Sequence, residues 1–289
     1  MKLLGFCLAT AAIFFFSDEI RGQQNLVMSD AVRPNAIPFQ LEGGFLIEVE
    51  GRIGQLEGLK FILDTGATHS VIDRRIADRL SLTLRPKRVF NFDRFVRVDW
   101  AEFPDVQFGP IEVRNVSMMV SELAKSSELS GDADAIIGLD LLSTTSKVGI
   151  FYDSKMVVLR PRDVNAQGAS ERDKPECFTV EALVQGHDVR LLLDTGMKGI
   201  LLYEDRIRKR IPSVRLTDER KGAFMGRLQG KTARLPGFRL DGPESDVMVF
   251  LLKGPRQDLL PGIDGYLGTA SLKAKRIELD FEAKTMRWR

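Results

Sequence analysis

Phe61-Ile62-Leu63-Asp64-Thr65-Gly66 returns later in the chain as Leu191-Leu192-Leu193-Asp194-Thr195-Gly196. A second pair is displaced by the same number of residues: Asp134-Ala135-Ile136-Ile137-Gly138 comes back as Asp264-Gly265-Tyr266-Leu267-Gly268. Two independent motifs sharing one offset point to an internal duplication, and a repeat of this kind governs every local reading that follows.

The flanks repeat as well. Phe45 to Val49 alternates as a strand, a turn is expected around Gly51–Gly58, and Lys60–Leu63 leads back. In the second half Phe178 to Val184 behaves alike, with a tight turn at Gln185-Gly186-His187-Asp188. Apolar pairs follow each motif, Val71-Ile72 and Leu201-Leu202, and then short helix-like stretches, Arg74–Leu82 and Glu204–Arg210. Each half ends on a hairpin pattern, Val148–Leu159 turning at Asp153-Ser154-Lys155 and Arg276–Trp288 turning at Glu282-Ala283-Lys284. Between them lies polar, proline-bearing sequence of linker character. The expectation is an all-β chain of two similar lobes, at 25–160 and 177–289, joined by a linker at 161–176, each lobe with its own core.

Composition agrees and excludes other classes. The 289 residues are 44% hydrophobic, with 25 Gly and 12 Pro, which suits a folded, turn-rich chain. Lys and Arg number 42 against 40 Asp and Glu, so the total gives no electrostatic case for nucleic acid. Lys2 followed by the apolar run Leu3 to Phe16 reads as a secretory signal, residues 1–22, and is short for a membrane span. Export to the periplasm or medium is therefore expected, an uncleaved N-terminal anchor being the alternative. Loss of Cys7 with that segment leaves Cys177 alone, which reads as a buried structural thiol with no disulfide. No Cys/His cluster has metal spacing and no glycine-rich loop suggests a nucleotide, so neither metal nor cofactor is expected.

An apolar strand that runs straight into Asp needs polar partners for the carboxylate. Gly two positions on lets the chain turn so that its N–H faces that carboxylate, and the intervening Thr offers a hydroxyl to a symmetric partner. One such turn is an ordinary strand end. Two, related by a pseudo-twofold axis, bring Asp64 and Asp194 together, and like charges in contact share a proton. One carboxylate then acts as base to a water while the other donates to a carbonyl oxygen.

These motifs resemble those of the aspartic peptidases, nearest to retropepsin-like bacterial members carried twice in one chain. The resemblance implies two pseudo-twofold-related closed β-barrel lobes with short helices, and an aspartic endopeptidase acting on an extended peptide or protein. It places Asp64 and Asp194 on the catalytic aspartates, and Thr65, Gly66, Thr195 and Gly196 on the supporting loops, the threonines bonding between lobes. Ile136-Ile137-Gly138 and Tyr266-Leu267-Gly268 correspond to the apolar-apolar-Gly element behind each loop.

Departures mark where the pattern thins. Met197 stands where the family usually has a small residue; either it crowds the outer oxygen of Asp194 or it points into the lobe core. No Tyr lies between Asp64 and Gly138 to act as a pepsin-like flap residue. Phe95 to Phe103 alternates as one arm of a hairpin, on which Trp100 either covers the cleft or packs as a strand residue. Gly222 to Gly230 has the glycine spacing of a hairpin tip, making Phe224, Met225 and Gly226 cleft candidates. His69 reads as a polar surface residue or one supporting the first loop, Asp134 and Asp264 as turn caps, and Arg206–Arg210 as a solvated basic face. A monomer is expected. The competing readings are a non-catalytic peptide-binding protein of the same fold and a pair of half-barrels that dimerise between chains.

Overall fold

The computed structural model describes residues 35–91, 94–123, 133–162, 177–224, 228–254 and 260–289. The expected signal, most of the linker, Met225 and Gly226 lie outside the described residues. The chain is mostly β, in three sheets.

The first sheet holds β2 (Gln40–Glu42), β3 (Leu46–Ile53), β4 (Leu56–Leu63), β5 (Val71–Asp73), β6 (Arg85–Asn91), β7 (Arg94–Phe108), β8 (Ile111–Ser121) and β9 (Ala135–Ile137). Its order is β2-β3-β4-β9-β5-β8-β7-β6, and an extra β3–β7 pairing turns six of these strands into a ring. The seam is short, three residue pairs from Gly51↔Phe108 to Ile53↔Val106. The second sheet is built alike from β12 (Thr179–Val184), β13 (His187–Asp194), β14 (Ile200–Tyr203), β15 (Thr217–Phe224), β16 (Leu228–Arg239), β17 (Ser245–Leu252) and β18 (Gly265–Gly268). Its order is β12-β13-β18-β14-β17-β16-β15, drawn round by β12–β16 at Leu183↔Arg239 and Val184↔Phe238.

The two terminal hairpins do not stay within their halves. β10 (Thr145–Phe151) and β11 (Met156–Pro161) join β19 (Arg276–Asp280), β20 (Thr285–Trp288) and β1 (Ala36–Pro38) in one five-stranded sheet, order β1-β11-β10-β19-β20. This corrects the expectation of two separate cores. Val148, Ile150, Leu159, Ile277 and Leu279 on the shared sheet are buried in one cluster with Phe61 and Leu63 of the first lobe and Leu191 and Leu193 of the second. Apolar side chains on one face of a sheet have to be covered, and here both lobes cover the same face.

Local chemistry adjusts other boundaries. The turn expected around Gly51–Gly58 is a two-residue one at Gly54-Gln55, with Gly54 at φ +55°. Gly51 lies inside β3, where a Cβ would strike the Phe61 ring. In the second half only Gln185 (φ +50°) and Gly186 (φ +83°) make the turn, since both central residues of that hairpin type need positive φ. Helix α1 (Arg74–Arg79) is capped by Asp73, whose carboxylate accepts from Arg75 N–H at 2.8 Å. It ends before Ser81, which has φ +52°. Among the described residues the other helices are α2 (Leu139–Leu142), α3 (Glu204–Arg210) and a short 3-10 helix at Thr269–Leu272. No helix among the described residues is long and apolar enough to cross a membrane.

Candidate active site

Each Asp-Thr-Gly turn is held by the same scaffold. β9 lies parallel to β4 and antiparallel to β5, and β18 lies likewise between β13 and β14. The glycine that ends each inner strand passes against the Asp-Thr-Gly loop: a Cβ on Gly138 would meet the Ala67 carbonyl oxygen at 2.8 Å, and one on Gly268 would overlap Met197 O. Only glycine allows that approach. The matched acids, expected as turn caps, bond instead to a backbone N–H of the neighbouring strand. Asp134 accepts from Lys60 N–H at 3.0 Å and Asp264 from Arg190 N–H at 2.9 Å.

The loops meet across the lobe junction. Thr65 Oγ1 donates to Leu193 O at 2.9 Å and accepts from Thr195 N–H at 3.1 Å. Thr195 Oγ1 donates to Leu63 O at 2.7 Å and accepts from Thr65 N–H at 3.0 Å. Both threonines are 1% exposed, so the four bonds exclude water. Each glycine serves its own carboxylate: Gly66 N–H donates to Asp64 Oδ1 at 2.8 Å, and Gly196 N–H to Asp194 Oδ1 at 2.8 Å. Ala67 N–H adds a longer bond to Asp64 at 3.3 Å.

Asp64 and Asp194 thereby come into contact, joined by a side-chain hydrogen bond. Burial pushes the Asp64 carboxyl above the ordinary carboxylate value; bonds from Gly66, Asp194, Ala67 and Gly196 pull the other way without cancelling it. A pair so placed holds a single shared proton more readily than two charges, which gives one acid and one base at the same point.

Met197 does not crowd this pair. It is 3% exposed and packs with Leu192, Leu201, Tyr203, Phe250, Leu252, Leu260 and Tyr266 beneath the second loop. The first loop is buttressed differently. Ser70, fully buried, donates its hydroxyl to Asp140 at 2.6 Å and accepts from Gly138 N–H at 2.9 Å. Asp140 also takes Ser70 N–H at 2.9 Å, and burial raises its carboxyl above the usual range. His69 packs edge-on against Trp100 with ring centroids 5.3 Å apart; burial lowers its imidazole, Asp140 opposing and Lys87 adding to the effect. The sequence carried a trace of this buttress, an acid two residues past the apolar-apolar-Gly element, but only in the first copy: Ala270 occupies the matching place.

Trp100 is 8% exposed and stands at the base of the β6–β7 hairpin, so the packed-strand alternative describes it. The hairpin seen at Gly222–Gly230 is present as β15–β16, with Gly222 paired to Gly230 and Phe224 to Leu228. Arg206, taken as part of a solvated face, is instead 6% exposed; its guanidinium donates to Leu260 O at 2.5 Å and to Ile263 O, and lies 4.9 Å from the Tyr203 ring centroid. Ile76 is its counterpart in the first copy, so the periodicity at that position signals burial and the residue type misleads.

Two Asp-Thr-Gly turns are thus locked to one another at the lobe junction, with their carboxylates in contact. A family model described as "Aspartyl protease" matches residues 49–141, the stretch that holds the first Asp-Thr-Gly loop and its inner strand. That match spans about a third of the chain and makes the first lobe similar to the aspartyl proteases. One solved structure similar to it is a retropepsin-like aspartic protease from Rickettsia conorii, 19% identical, covering 43% of this chain and 87% of that one, with a TM-score of 0.32. No curated protein matches the chain.

Proposed function

We propose that the protein is an exported aspartic endopeptidase in which Asp64 and Asp194 activate one water against a peptide carbonyl. The contact between these two carboxylates, each held by its own glycine N–H on loops that the threonine bonds lock together, carries the reading. The ionised carboxylate takes a proton from water as its oxygen adds to the carbonyl carbon, while the protonated partner donates to the carbonyl oxygen. Collapse of the resulting gem-diol returns the proton to the departing amine nitrogen and breaks the C–N bond. No covalent enzyme intermediate forms. Substrate enters as an extended strand between the lobes, pairing its backbone with the hairpins. The apolar run at Leu3–Phe16 supports export.

The test compares cleavage of an unstructured protein by wild type, Asp64→Asn and Asp194→Asn between pH 3 and 7. Each variant is expected to lose at least about 10³-fold in kcat/KM. Undiminished cleavage in either would overturn the dyad; an inert wild type that still binds peptide would make the protein a peptide-binding one. Fractionation of cells expressing the full chain tests export.

A further inference from the structure

Charge is distributed unevenly over the molecule. Residues 85–100, the first hairpin, contain five Lys/Arg and two Asp/Glu, and residues 217–234, the second, contain the same. Each hairpin is thus net +3, while the whole chain is +2, which leaves the remainder at −4. A merely solvated surface has no reason to gather its positive charge on these two elements.

The hairpins also sit at the catalytic loops. Trp100, at the base of the first, packs on His69, five residues past Asp64. Phe250, paired with Thr232 of the second, clusters with Met197, three residues past Asp194. Residues directly opposite in an antiparallel pair share a face, and alternate residues return to it. Arg85 pairs with Trp100, so Arg85 and Lys87 lie on the Trp100 face; Lys87 Nζ is 4.2 Å from that ring's centroid. Arg220 pairs with Thr232 and so lies on the Phe250 face. These three exposed cations share the faces that rest on the two catalytic loops.

Among the described residues, the acids of the two hairpins are already engaged. Asp99 binds Arg74 at 2.5 Å, Asp218 is 3.5 Å from Arg234, and Glu219 contacts Arg208 and Lys231 at 3.1 and 3.3 Å. Arg85, Arg97, Arg220 and Lys221 have no acidic partner among the described residues. Arg88 and Arg97 stand directly opposite each other across the first hairpin, an arrangement that costs stability until an anion joins it.

We infer that the two hairpins select an acidic polypeptide segment, with Arg85, Lys87 and Arg220 reading carboxylates that flank the bond placed between Asp64 and Asp194. This rests on the peptidase reading above and names its substrate class. Long-range attraction from a net +6 also speeds encounter with such a segment and weakens as salt rises.

The test uses the full chain and three fluorogenic peptides of one length, alike at the central bond, with flanks of Asp/Glu, Asn/Gln or Lys/Arg. The acidic peptide is expected to exceed the neutral one about tenfold in kcat/KM at low salt, with the gap closing in 0.5 M NaCl as charges are screened. In R85Q/K87Q/R220Q the acidic-to-neutral ratio is expected to fall to near one. Equal rates for acidic and neutral peptides, or a ratio unaffected by salt and by the triple variant, overturn the inference and leave the peptidase reading standing. If no peptide is cleaved, fluorescence anisotropy on Asp64→Asn decides separately: salt-sensitive binding of the acidic peptide, lost on adding the three substitutions, supports the inference without the peptidase. Absence of such binding, or stronger attachment to phosphatidylglycerol vesicles than to the acidic peptide, overturns it.

Discussion

Gly196 of one lobe abuts Asp64 of the other: a Cβ at position 196 would lie 2.6 Å from the Asp64 carboxylate carbon, and Gly66 stands closer still to Asp194. The residue that turns each loop also shapes the space for the opposite carboxylate. Gly196→Ala is expected to push Asp64 off the shared axis and lower kcat on the order of 10²-fold while the circular dichroism of the sheets is retained. Steady-state kinetics on a flexible peptide measures this, and an unchanged kcat would mean the carboxylates tolerate displacement.

The threonine bonds should be worth more to the fold than their number suggests. Thr65→Val strips partners from Thr195 N–H and Leu193 O, both buried. The expected cost is about 2–4 kcal/mol in urea unfolding, with Thr65→Ser recovering most of it because the hydroxyl remains.

Met197 offers a test of packing against crowding. Met197→Leu keeps volume in the apolar cluster and is expected to cost under about 1.5 kcal/mol, whereas Met197→Ala should cost about 2–4 kcal/mol. Neither should raise kcat. A faster Met197→Ser enzyme would show that the thioether hinders Asp194 after all.

The dyad also sets a pH dependence of stability. Asp64 is raised above its ordinary value of 3.8, so the folded state holds its proton more tightly than the unfolded chain. Its favourable contribution is complete below that ordinary value and is lost as pH climbs through the folded-state value. Asp64→Asn keeps the acceptor for Gly66 N–H and removes the titration. The variant is therefore expected to melt above wild type at pH 7, with the gap narrowing toward pH 4 in thermal scans.

Much of this was legible in the chain because the repeated features are local. Asp, Thr and Gly must be adjacent to make the turn, and Asp134 and Asp264 bond to a backbone N–H of the neighbouring strand in both copies. The joining of β10 to β19 was not legible, since Lys147↔Asp280 through Phe151↔Arg276 pairs segments that carry no complementary signal of their own. The sequence left Trp100 open between two readings and misled at Arg206 for a related reason. Each is a large polar-tipped side chain whose burial depends on which neighbour arrives, His69 in one case and the Leu260–Ile263 carbonyls in the other.

The shared five-stranded sheet has a mechanical consequence. Five consecutive backbone pairs, with Lys147 bound to Asp280 at 2.6 Å, fasten one half to the other. Prising the halves apart would tear that ladder, so the shared sheet ties the positions of the two Asp-Thr-Gly loops to one another. On the peptidase reading proposed above, the expected substrate is therefore a loose tail, a loop or an unfolding chain, and not a compact folded protein.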